Sequence, residues 1–106
     1  MQKTTLIVLF NLKAGVSVSE YEIFARDRDV PTVSALKSVD SFTVYRSSGL
    51  LGSDQKPPFD YVEMIVVNHL EGLFAELQSE IMTEIAGIFQ SYADQPIFML
   101  TDKFAG

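Results

Sequence analysis

The chain has 106 residues, 14 of them Asp or Glu and 8 Lys or Arg, for a formal net charge of −6. With 47% hydrophobic residues and no cysteine, a chain of this size can build one core without disulfide staples, and it offers neither a thiolate nucleophile nor a Cys-ligated zinc site. The basic residues are few and scattered, which argues against phosphate recognition and hence against a nucleic-acid partner.

The stretch from Met1 to Phe10 pairs Lys3 with an apolar run, but Asn11 and Lys13 interrupt it sooner than a secretory leader allows. No other segment approaches the roughly 18 apolar residues of a membrane span. The reading is a cytoplasmic protein of one domain, residues 1–106, without a membrane partner.

Thr4–Leu12 (TTLIVLFNL) is β-branched and apolar throughout, as in a strand with both faces buried. After Ala14-Gly15, the run Ser17-Val18-Ser19-Glu20 fits a capping box and starts a helix with Tyr21, Phe24 and Ala25 on one side. That helix ends or kinks before Pro31, and Val30–Leu36 forms a second piece. Arg26-Asp27-Arg28-Asp29 alternates in sign and reads as a solvated helix face. Ser41–Ser48 alternates with period two, placing Phe42, Val44 and Arg46 on one face and Tyr45 on the other, and is a second strand.

The loop Gly49–Pro58 carries Leu50 and Leu51, unusual in a merely flexible connection, and reads as an arm that grips a partner. Phe59–Asn68 is a third strand, again apolar on both faces. Asn68 serves as helix cap with Glu71 three positions on, and the apolar spacing from Leu70 to Tyr92 is helical, with Ser79 breaking it into two pieces. Pro96 opens a final strand, Ile97–Phe104.

The order β-α-β-β-α-β predicts an α+β, ferredoxin-like sandwich with both helical segments on one sheet face. Strands one and three are too apolar for the other face to stay in water. A second copy packed sheet to sheet about a two-fold axis covers it, giving a homodimer that encloses a barrel-like cavity.

No phosphate loop, paired metal-binding histidines or nucleophile elbow is present, so neither a cofactor nor a metal is implied. What remains is polar groups within apolar strands. Glu63 lies between Val62 and Met64, two residues from Tyr61 on the same face. Partial desolvation would raise its pKa into the range of a general acid or base, whereas a cross-strand pair with Arg46 would make it structural. His69, the only histidine, falls in the first turn of the second helical segment, where the helix dipole favours a neutral ring; it is the second catalytic candidate, or else a solvated surface residue. Asn11, Tyr45, Tyr61 and Arg46 are the substrate-contacting candidates, although Asn11 also suits a strand end making backbone contacts.

The run Ala25-Arg26-Asp27-Arg28-Asp29-Val30-Pro31 leading into Val33-x-x-Leu36, the strand Phe42–Arg46, and Phe59–Glu63 feeding Asn68-His69-Leu70 together resemble the RedY-like (HapK) family of the dimeric α/β-barrel superfamily, over nearly the whole chain. The resemblance implies a small dimer of bacterial secondary metabolism, notably of prodigiosin-type tripyrrole pigments, that acts on or holds a hydrophobic small-molecule intermediate. Three roles follow from it: acid/base chemistry on an aromatic or pyrrolic intermediate, escort without chemistry, or the cofactor-independent monooxygenase chemistry of superfamily relatives.

Overall fold

The computed structural model describes residues 3–106; Met1 and Gln2, part of the stretch weighed as a leader, lie outside them. Strand β1 (Thr4–Leu12) is followed by helix α1 (Val18–Phe24), a π-helical turn (Ala25–Asp29) and helix α2 (Val30–Ser34). Strands β2 (Val39–Arg46) and β3 (Tyr61–Val67) come next, then helices α3 (Leu70–Glu76) and α4 (Glu80–Tyr92), and last strand β4 (Ala93–Asp102). The four strands form one sheet of order β2-β3-β1-β4 in which every neighbouring pair is antiparallel. This is the expected α+β ferredoxin-like arrangement. Among the described residues no helix is long and apolar enough to cross a membrane.

Local chemistry explains the boundaries. Ser17 Oγ accepts the Glu20 N–H at 3.0 Å and Ser79 Oγ accepts that of Met82 at 3.3 Å, so each serine opens a helix where the sequence places it. Helix α3 differs from expectation: its cap is His69, whose Nδ1 accepts the Gly72 N–H at 3.1 Å. Asn68 instead donates to the Lys37 carbonyl and to Asp40. The last strand begins at Ala93, ahead of Pro96, because the β1–β4 register shifts between Leu9 and Asn11 and Gln95 takes a positive φ of 46°. A proline is tolerated at such a bulge on an edge strand.

Alternation along the strands divides the sheet. Val8 and Phe10 of β1, Tyr61, Glu63, Ile65 and Val67 of β3, and Phe42 of β2 are buried with the helical residues Tyr21, Val33, Leu73, Ile85 and Phe89. Phe10 sits at the centre of this core, with its ring 4.9 Å from that of Phe89 and 5.4 Å from that of Tyr21. Among the described residues no helix covers the opposite face of the sheet. Tyr45, Met64, Ile97 and Met99 are exposed there, and Ile7 and Leu9 half-buried. Strands one and three are thus apolar on both sides, as read from the sequence, but within one protomer only the helix side is covered.

Candidate functional site

The helical segment after β1 builds one wall of the site. Pro31 has no N–H for the usual helical bond and its ring crowds the carbonyl four residues back. The chain responds by widening: the Val30 N–H reaches the Ala25 carbonyl, five residues back, and the helix continues to Ser34 instead of ending before the proline. In a regular α-helix an i, i+4 row drifts by about 40° per step. The wider turn takes back part of that drift, so Tyr21, Ala25, Asp29 and Val33 all remain buried. Asp29 therefore points inward, not to solvent as its alternating neighbours suggest.

Between this wall, the sheet and helices α3 and α4 lies a cavity of about 200 Å³. Its lining is aliphatic and aromatic, including Val8, Phe42, Leu73, Ile85 and Phe89, with Asp29 and Glu63 as the two acidic groups. Phe98 and Gln90, both exposed, mark where it reaches solvent. Asp29 is 5% exposed and Glu63 4%. Among the described residues no cation pairs with either. The Tyr21 hydroxyl donates to Glu63 Oε2 at 3.3 Å, and among the described residues Asp29 has no side-chain hydrogen-bond partner.

Burial without a counter-charge pushes Asp29 up to about 7. Glu63 is pushed up to about 8, first by burial and then by the negative charge of Asp29, against a smaller downward pull from the Tyr21 hydrogen bond. Tyr21 itself is raised, by burial and then by Glu63, and stays a donor. Between the Asp29 and Glu63 values the carboxyl groups hold about one proton between them, the arrangement of a paired acid and base.

A profile of the family described as REDY-like protein HapK matches residues 4–104. The chain belongs to this family. HapK from Hahella chejuensis has the same fold at 22% identity, with a TM-score of 0.72 and coverage of 97% of this chain and 98% of that one. The hydroxynitrile lyase of Passiflora edulis superposes with a TM-score of 0.80 at 11% identity, covering 99% and 96%. A dimeric ferredoxin-like protein from Bacteroides fragilis gives 0.69 at 10% identity, covering 95% and 96%. No curated protein matches the sequence. The structural neighbours of this HapK-family chain thus include a dimeric protein of ferredoxin-like fold.

In this HapK-family chain the sequence-derived candidates separate into three places. Glu63 and Tyr61 share the helix side of β3, as period two requires, and so point away from the face that a partner copy would cover; the cavity beside Glu63 lies within one protomer. Arg46 is on the same side but does not pair with Glu63. It holds Glu22 through two contacts of 2.8 and 3.0 Å, and Glu22 also accepts the Tyr61 hydroxyl at 2.8 Å. These three residues with Tyr21 line a second, outer pocket of about 430 Å³, which shares Phe42 with the inner cavity.

Asn11 and Tyr45 are on the opposite side of the sheet. Asn11 accepts the Asp60 N–H and donates to the Pro58 carbonyl, so it fastens the strand end to the loop before β3. Tyr45 is exposed on the open face. His69 lies beyond Val67, at the far end of β3 from Tyr61, and its Nδ1 is committed to the α3 cap. It does not approach Glu63. Leu51 is fully exposed within one protomer, where it grips nothing. Asp29 is the site residue that the sequence reading passed over. Its signal was the four-residue spacing Tyr21, Ala25, Asp29, Val33, in which a single carboxylate interrupts a buried row.

Proposed function

We propose that this HapK-family protein is a cytoplasmic homodimer of a secondary-metabolite pathway of the prodigiosin type, which binds an aromatic or pyrrolic intermediate in the inner cavity of each protomer and transfers a proton through Glu63. The observation that carries this reading is a carboxyl group 4% exposed, facing an apolar cavity and lacking a cation. Such a group costs stability, and groups perturbed in this way cluster at functional sites. Tyr21 orients it, and Asp29 supplies the complementary protonation state. The apolar open face, with Tyr45, Met64, Ile97 and Met99 exposed, supports association of two copies through their sheets. The cavity volume bounds the ligand. An apolar cavity of ~150 Å³ accommodates benzene, so about 200 Å³ suits a one-ring or small two-ring intermediate better than a finished tripyrrole.

The test uses 2,2′-bipyrrole in deuterated buffer, with exchange of its ring carbon hydrogens followed by NMR. Wild-type protein should accelerate exchange on the order of a hundredfold over Glu63→Gln, the lower end of what a positioned acid or base contributes. Equal rates in both proteins would dismiss the acid/base assignment. Binding without acceleration in the wild type would favour the escort role, and turnover that requires dioxygen the oxygenase role. Sedimentation at micromolar concentration should show a dimer; a monomer would remove the sheet-to-sheet association while leaving the cavity within the protomer intact.

A further inference from the structure

We propose that the inner cavity selects a small apolar molecule bearing a protonated nitrogen, held between the carboxyl groups of Asp29 and Glu63. This rests on reading the cavity as the ligand site and adds the charge class of what enters it. The lining contains no basic side chain. Its ionisable groups are Asp29 from the π turn and Glu63 from β3, with Tyr21 of α1 hydrogen-bonded behind Glu63. Strand β2 and helices α3 and α4 contribute Phe42, Leu73 and Ile85, and the amide of Gln90.

Arg46 and Arg28 are engaged elsewhere, with Glu22 and Glu84, and Arg26 lines the outer pocket, not this cavity. A protonated nitrogen would therefore supply the counter-charge that the lining lacks, and its N–H groups would meet open acceptors: among the described residues Asp29 has no side-chain partner and Glu63 only the long bond from Tyr21. A neutral N–H ring would gain one hydrogen bond without cancelling the charge. A carboxylate ligand would find no counter-charge in the lining, and O–H donors only where an acid keeps its proton, so it should bind more weakly.

The experiment compares three probes of similar size, benzylamine, benzyl alcohol and benzoate, by calorimetric titration of the intact protein near pH 6 and near pH 9. Benzylamine should bind at least about tenfold more tightly than benzyl alcohol, and benzoate more weakly than either. Near pH 6 both carboxyl groups are largely protonated, so seating a cation between them should release up to about one proton, read from the dependence of the heat on buffer; near pH 9 the release should vanish. Asp29→Asn should reduce the preference for amine over alcohol to less than about threefold. Benzyl alcohol matching benzylamine in the wild type, or an undiminished amine preference in Asp29→Asn, would overturn the charge selectivity and leave the cavity as a ligand site. Failure of all three probes to bind would overturn the ligand site itself.

Discussion

Replacing Glu63 by Gln should stabilise the protein in alkaline solution and change little in acid. Unfolded, Glu63 loses its proton near its ordinary value of 4.5, whereas folded it keeps the proton until about 8. Between those values the native state binds more protons than the unfolded state, so stability falls as pH rises, and the loss is complete only above the folded value. At about 1.4 kcal/mol for each pH unit, the interval amounts to on the order of 5 kcal/mol, a large share of the ~5–15 kcal/mol that holds a small domain together. Asp29 acts in the same direction between 3.8 and about 7. The two effects overlap, because part of the Glu63 elevation comes from the Asp29 charge. Glutamine keeps the volume and still accepts from Tyr21, but cannot ionise. Urea denaturation followed by circular dichroism at fixed protein concentration should place Glu63→Gln within about 1 kcal/mol of wild type near pH 5 and about 3–5 kcal/mol above it near pH 9. Glu71→Gln, at an exposed position, controls for the general relief of negative charge. A stability difference between Glu63→Gln and wild type that is the same at both pH values would refute the buried, uncompensated carboxyl.

Substitutions at three positions test the surrounding assignments. Tyr21→Phe removes the one hydrogen bond that pulls the Glu63 value down, so its carboxyl carbon should titrate higher by about half a pH unit or more by NMR; an unmoved titration would deny the bond. His69→Ala should cost about 1 kcal/mol through loss of the α3 cap, His69→Asn should restore most of it, and bipyrrole exchange should be unchanged in both; a fall in exchange would return His69 to the chemistry. Gly72→Ala should destabilise by about 1–2 kcal/mol, since a Cβ there would lie 2.5 Å from Ser38 Oγ and 2.6 Å from His69 Nδ1; unchanged thermal unfolding would show that the histidine cap yields easily.

The order of elements was legible because each carried its own physical signature: period two in β2, a capping box before α1, a break at Ser79 before α4, and apolar runs long enough for β1 and β3. What could not be read was the side of the sheet on which Glu63 lies. Period two assigns Tyr61, Glu63, Ile65 and Val67 to one row, but Val62, Met64 and Val66 are as apolar, so hydrophobicity alone gives no vote between the faces. Asp29 was hidden by a different cause. The sign alternation of residues 26–29 is what a solvated helix produces, and only the backbone widening before Pro31 turns the fourth of these residues inward. His69 was misplaced by a single position: with Asn68 taken as cap, the ring appeared free within the first turn, whereas as cap its Nδ1 is already used.

The division of labour across β3 follows from these same constraints. A carboxyl group on the open face would either remain hydrated, weakening the apolar surface available to a second copy, or be buried against that copy, beside its own symmetry mate if it lay near the two-fold axis. On the helix side the group has no symmetry partner and faces a wall whose geometry is set by a proline-induced widening. That wall brings in one further carboxyl group, so burial and like charge act together on the pair. The core gives up stability to hold both acids, and the cavity between them is where that cost yields an acid and a base at the same pH.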